Sequence, residues 1–100
     1  MRIREDMAAY CVGRIRVKDA KAWEWYRQQV GATIVRYGGE VVFRGALQQA
    51  FSGAGDHDSV VALRFENPDA ARRWHDSPEY QALIPVRDQG AEVSLVLYQD

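Results

Sequence analysis

Hydrophobic and polar positions along the 100-residue chain repeat with two periods, and the switches between them divide the chain into elements. Residues 8 to 17, AAYCVGRIRV, alternate with the period of a half-buried strand. Cys11, Gly13, Ile15 and Val17 point one way, and Tyr10, Val12, Arg14 and Arg16 point the other. The period then lengthens. Trp23, Tyr26, Val30, Ile34 and Tyr37 recur at three- and four-residue steps, the stripe of an amphipathic helix. Asp19 is its N-cap, because a carboxylate there accepts the orphan amide protons of the first turn. Gly31 weakens the helix locally, and Gly38 and Gly39 stop it by supplying the positive φ of a C-cap. Alternation returns at Glu40 to Arg44, with Val41 and Phe43 on one face and Val42 and Arg44 on the other. Between Gly45 and Asp58 the small residues predict a strand end reaching as far as Phe51, then an exposed loop. Ser59 to Glu66 alternates most clearly, with Val61, Leu63 and Phe65 inward and Val60, Ala62 and Arg64 outward.

The stretch NPDAARRWHDSPEYQALIPVR, Asn67 to Arg87, writes two helix starts in quick succession. Asn67-Pro68 is an N-cap followed by proline at the first helical position, where its missing amide costs nothing. Ala70, Ala71 and Trp74 give that helix an apolar face, and Asp69 suits its positive end. Ser77-Pro78-Glu79 repeats the device, so the first helix ends near His75. A second helix carries Tyr80, Leu83 and Ile84, and Pro85 kinks or ends it. Gly90 closes the region. Glu92 to Tyr98 is a last strand, with Val93, Leu95 and Leu97 inward and Ser94, Val96 and Tyr98 outward. The order β-α-β-β-α-(α)-β predicts an α+β fold, the ferredoxin-like split βαβ arrangement. Its helices cover one face of a four-stranded antiparallel sheet.

The uncovered face carries the useful signal. Tyr10, Val12, Arg14, Val42, Arg44, Val60, Ala62, Arg64, Ser94, Val96 and Tyr98 share it on this reading. That row is too apolar for a face left in water. It also holds three arginines, which a monomer core does not bury without partners. A second subunit laid sheet to sheet satisfies both. The predicted dimer face is therefore Tyr10, Val12, Arg14, Val42, Val60, Ala62, Val96 and Tyr98. The arginines either pair with Glu66, Glu92 or aspartates, or line a cavity between the layers.

Composition narrows the classes. One hundred residues predict one domain over 7–100, after a loose tail at 1–6. A net charge of -1 gives no electrostatic case for nucleic acid or an anionic membrane. No apolar run approaches the roughly 20 residues of a membrane span, and the charged MRIREDM opening lacks a signal peptide's apolar core. Cys11 has no partner for an internal disulfide, which suits the cytoplasm.

The segments AAYCVGRIRVKD, YGGEVVFRG, VVALRFENPDAARRWHDSPEYQAL and IPVRDQGAEVSLVLY resemble the domain-of-unknown-function family 1330 of the dimeric α+β barrel superfamily. The most specific part runs from Phe65 through Ser77-Pro78-Glu79-Tyr80 to Arg87, and the Gly45 to Asp58 loop departs from the pattern. The resemblance implies a ferredoxin-like protomer and a homodimer whose sheets form a barrel. It implies no activity, since none is established for that family. Related superfamily members include heme-degrading and quinol-forming monooxygenases and small-molecule isomerases, with pockets between sheet and helices.

Candidate chemistry is sparse. Arg44 and Arg64 on neighbouring outer rows, with Arg14 adjoining, form either an anion pocket of guanidinium forks or interface ion pairs. Tyr80 and Arg87, seven apart, share a helix face if the helix survives Pro85. The resemblance makes them recurrent motif members. There Tyr80 donates a hydrogen bond and Arg87 holds an anionic group, or Tyr80 packs on the long helix and Arg87 pairs with an acid. His75 is the acid–base candidate, although a helix C-terminus alone explains a histidine there. Asp56, His57 and Asp58 do not converge on one ion, so no metal is expected. Trp23, Trp25 and Trp74 are structural anchors, with Trp25 off the stripe and suited to a subunit contact. Cys11 lies on the covered face and is inert.

Two functions follow. In the first, a homodimer binds a small anionic or aromatic organic molecule between sheet and helices, as an oxygenase- or isomerase-type enzyme without a cofactor. Arg44, Arg64, Tyr80 and Arg87 then orient the ligand. In the alternative, the chain is a non-enzymatic dimerisation or regulatory module.

Overall fold

The structure is a computed structural model and describes residues 8–53 and 55–99, so the tail expected over 1–6 lies outside the described residues. Four strands, β1 (Ala9–Val17), β2 (Glu40–Ala46), β3 (Ser59–Phe65) and β4 (Ala91–Gln99), form one sheet. Four helices, α1 (Ala20–Arg36), α2 (Pro68–Asp76), α3 (Pro78–Gln81) and α4 (Ile84–Gly90), complete the set. The strand order is β2-β3-β1-β4 with every neighbouring pair antiparallel. This is the expected α+β, ferredoxin-like topology, helices on one face.

Local chemistry sets the element boundaries. The Asp19 carboxylate accepts from the Lys21 and Ala22 amides at 3.1 and 3.2 Å. At the far end of α1, Gly38 takes φ +81, which a side chain resists, and the Gly39 amide donates to Ile34 O at 2.9 Å. Asn67 Oδ1 accepts from the Ala70 amide at 2.8 Å. One buried hydroxyl then ends α2 and starts α3: Ser77 Oγ donates to Trp74 O at 2.7 Å and accepts from the Tyr80 amide at 3.1 Å.

The second helix of this stretch departs from expectation. It does not run on to a kink at Pro85. Instead α3 ends at Gln81, and a separate α4 begins with Pro85 in its first turn. Proline blocks the carbonyl four residues back, here that of Gln81, and is tolerated only where a helix begins. The other end of α4 abuts α1. Gly90 O accepts from the Lys18 and Asp19 amides at 2.8 and 3.0 Å. A Cβ on Gly90 would stand 2.6 Å from the Trp23 amide nitrogen, so only glycine permits this approach.

The covered face of the sheet carries Cys11, Ile15, Leu63 and Phe65, all buried. The small Ala70 and Ala71 let α2 settle directly on β1, β3 and β4, whereas α1 makes its close approach to α4. Around Trp74 the packing is dense. Phe65, Trp74 and Tyr80 are fully buried, with ring centroids 5.4 Å apart for Phe65–Trp74 and 4.3 Å for Trp74–Tyr80. Trp74 Nε1 donates to Thr33 Oγ1 at 3.0 Å, which satisfies the indole inside the core.

The uncovered face is built of straight cross-strand rungs. Arg64, Tyr10 and Tyr98 form one, Ala62, Val12 and Val96 the next, and Val60, Arg14 and Ser94 the third. The edge strand β2 breaks the predicted alternation. Val41 opposes Leu63 but Phe43 opposes Ala62, so the register shifts at Val42. A bulge inserts one residue and sends everything beyond it to the other side of the sheet. Phe43 therefore continues the uncovered row, and Arg44, opposite Val61, turns to the helix side. The expected outer-row placement of Arg44 is corrected by this single extra residue, whereas Val42, the bulged residue itself, precedes the switch. Strand β2 ends at Ala46, short of Phe51, which is 92% exposed in the loop.

Candidate ligand-binding site

The standoff of α1 from the sheet leaves a cavity of about 290 Å³ between them. Gly13, Val61 and Leu95 floor it, a cross-strand rung of the covered face. Trp23, Tyr26, Val30 and Ile34 of α1 roof it, and Trp74 and Tyr80 close it from α2 and α3. Gly13 makes the room: a Cβ there would sit 3.1 Å from Val61 Cγ1 and 3.6 Å from Leu95 Cδ1. A cavity this size, mostly apolar with a few polar groups, is the usual form of a small-molecule site.

Arg44 lines this cavity because of the bulge. Arg27 of α1 lines it too, with its guanidinium 3.5 Å from Glu24. Arg44 remains exposed at the cavity's edge, and no salt bridge engages it among the described residues, which leaves its fork available to an anion there.

Two phenols meet at the junction of cavity and packed core. Tyr26 Oη and Tyr80 Oη are 3.0 Å apart, and Arg87 Nη1 donates to Tyr80 Oη at 3.0 Å. Burial, followed by the Tyr80 contact, drives the Tyr26 phenol well above its ordinary range, so it stays protonated. Arg87 is held on its other side by Asp88, at 3.0 Å from Nε and 2.9 Å from Nη2. Its burial works against the charge, and the hydrogen bonds to Tyr80 and Asp88 outweigh that, leaving a fixed cation behind the phenol. Tyr80 and Arg87 thus come together although the helix between them is broken. Arg87 stands behind Tyr80 and is not part of the cavity wall, so the expectation that it grips a ligand anion is corrected.

The remaining candidates lie elsewhere. Arg64 occupies the uncovered face beside Tyr10 and Glu40, on the opposite side of the sheet from Arg44. The two do not form a common anion pocket. Of the outer arginines Arg16 is the one with an acidic partner among the described residues, Glu92 at 2.6 Å. His75 lines a second cavity of about 220 Å³ with Cys11, Ala71, Arg72 and Asp76, beyond Trp74 from the first. Its Nδ1 lies 3.2 Å from Asp76 Oδ1. The imidazole is not part of the first cavity's wall, although its ring lies 5.5 Å from that of Tyr80. Cys11 is buried, and burial pushes its thiol up to about 11, which leaves it unreactive. Among the described residues no cluster of three potential ligands could hold a metal ion, and no helix is long and apolar enough to cross a membrane.

Sequence reasoning placed Tyr26 only on the apolar stripe of α1. The available signal was a hydroxyl carried by a core-facing position, which demands a polar partner somewhere in the fold.

Fold and cavity together define a small α+β protein of the ferredoxin-like class. The sequence matches the family described as Domain of unknown function (DUF1330) over residues 8–100, and the chain belongs to it. No curated protein matches. Among solved structures, RPA0582, a protein of unknown function from Rhodopseudomonas palustris, is 18% identical with a TM-score of 0.81, over 95% of this chain and 83% of that one. SnoaB, a cofactor-independent oxygenase from Streptomyces nogalater, is 19% identical with a TM-score of 0.70, over 93% and 92%. A dimeric ferredoxin-like protein of unknown function from Bacteroides fragilis is 12% identical with a TM-score of 0.58, over 93% and 96%. At these identities the likeness establishes the fold alone.

Proposed function

We propose that the chain forms a homodimer through the uncovered sheet face and binds a small anionic or aromatic organic molecule between α1 and the sheet. It acts there as an oxygenase- or isomerase-type enzyme that needs no cofactor. The observation that carries this reading is the cavity itself, aromatic along α1 and lined by Arg44, which has no acidic partner among the described residues. An aromatic body stacks on such walls, and a carboxylate or phenolate suits a guanidinium fork. The cofactor-independent oxygenase among the similar folds adds support by analogy of fold, a weak warrant for chemistry.

The dimer rests on the rungs of the uncovered face. Val96 and Tyr98 are 42% and 52% exposed in the single chain, beside Val12, Val60 and Ala62. Covering this face removes apolar area from water, and Arg64 and Arg14 then belong to the interface. That same face supports a second reading, in which assembly is the whole function and the cavity holds nothing.

Thermal-shift measurements against small aromatic carboxylates, quinones and heme, paired with light scattering, separate the two. The first reading expects a dimer at micromolar concentration and a melting point raised by at least one compound class. It also expects Arg44→Ala to weaken anionic ligands about tenfold, the contribution of a charge-assisted hydrogen bond. Stability should stay within about 0.5 kcal/mol. A dimer that no compound stabilises supports the second reading, and a monomer removes the sheet-pairing argument.

A further inference from the structure

The Tyr26–Tyr80–Arg87 chain leaves one hydroxyl proton unused. A guanidinium only donates, so Tyr80 Oη accepts from Arg87 at 3.0 Å. The two phenols share a single 3.0 Å contact, which consumes one O–H. One hydroxyl proton is therefore left without a protein acceptor among the described residues, in a pair where Tyr26 is 7% exposed and Tyr80 is fully buried. Arg87 decides which. A cation donating into Tyr80 Oη draws density from that oxygen, making it a better donor and a poorer second acceptor. The proton order is then Arg87 to Tyr80, Tyr80 to Tyr26, and the Tyr26 proton is unspent. Tyr26 lines the cavity.

We infer that Tyr26 donates its hydroxyl proton in a hydrogen bond to a ketone or phenolate-type oxygen of a flat, apolar molecule held in the cavity. Tyr80 and Arg87 are the positioning groups that aim it. This rests on the cavity being a ligand site and adds which oxygen chemistry the ligand carries. Both phenols are fixed by their rings: Trp23 stacks on Tyr26 at 4.9 Å, and Trp74 lies against Tyr80 at 4.3 Å. A rigid donor backed by a partly buried cation stabilises negative charge on a ligand oxygen. Burial by itself disfavours the phenolate, so the Tyr26 hydroxyl keeps its proton.

Acetylnaphthalene and isopropylnaphthalene test this, because they share a shape and differ in the ketone oxygen. Wild type should bind the ketone roughly tenfold tighter, the effect of one hydrogen bond, and the bound C=O stretch should move to lower frequency. Tyr26→Phe should abolish both the preference and the frequency shift while leaving isopropylnaphthalene binding unchanged. Arg87→Lys should reduce the shift without removing it. A Tyr26→Phe protein that keeps the ketone preference overturns the assignment, as does an unshifted C=O stretch in wild type, which needs no variant to fold. Isopropylnaphthalene bound without ketone preference sinks Tyr26 alone. Failure of both compounds to bind wild type sinks the cavity reading together with it.

Discussion

The two halves of the space between helices and sheet are built oppositely. Under α2, the small Ala70 and Ala71 bring the helix down onto three strands, and Phe65, Trp74 and Tyr80 fill most of the space, with the smaller cavity beside His75 beyond Trp74. Under α1, the large side chains of Trp23, Tyr26, Val30 and Ile34 hold the helix off, while Gly13 on the central strand gives nothing back. Small residues on one helix and a missing side chain on the sheet decide where the molecule is solid and where it is hollow. The polar chain of Tyr26, Tyr80 and Arg87 stands at the border, anchored in the solid half and reaching into the hollow one.

The largest test of this contrast is in the solid half. Trp74→Ala should cost about 3–5 kcal/mol, because the surrounding rings cannot collapse into the space, and urea unfolding would measure it. A loss below about 1 kcal/mol would mean that the packing under α2 gives way as readily as a surface site. Next comes Gly13→Leu in the hollow half. The outer atoms of the leucine enter the cavity, but its Cβ presses Val61 Cγ1 at 3.1 Å, so the cost should fall within the usual range of about 1–3 kcal/mol. Every ligand-induced rise in melting point should vanish. Retained ligand shifts in Gly13→Leu would place binding outside this cavity.

The smallest effect sharpens what clamps the solid half to α1. Glu79 accepts from Tyr37 Oη at 2.9 Å and meets Arg36 Nε at 3.0 Å. Hydrogen bonding at its own backbone amide, then the Tyr37 bond, holds its carboxyl below the ordinary range. A carboxyl depressed in the folded state adds stability above its unfolded value, near pH 4.3, and loses that contribution as pH falls through the lower folded value. Glu79→Gln should therefore melt slightly below wild type at pH 7, and the two curves should converge under about pH 4. A constant gap across that range would assign the effect to packing instead of charge.

How much was legible beforehand follows from the range of each interaction. Asp19, Asn67 and Ser77 act on amides two or three residues away, so their helices could be placed from the chain alone. The straight rungs of β1, β3 and β4 kept the faces that alternation assigns, including Cys11 inward and Tyr10 outward. Local sequence predicts that Pro85 kinks or ends a helix, whereas it lies in the first turn of a new one, because propensity does not say whether a chain resumes after a break. Alternation assigns Arg44 to the outer row and the bulge turns it inward, since an edge strand can take an extra residue at little cost and no local pattern announces it.

What the amino-acid order determined by itself was the succession of elements, their caps and, through them, the ferredoxin-like topology, because these depend on neighbours a few residues apart. The tertiary structure alone decided the hollow over Gly13, the turn of Arg44 into it, and the meeting of Tyr26 with Tyr80 across 54 positions of chain. Those features arise from how far two packed layers stand apart and how two strands register, quantities that exist only once distant segments touch.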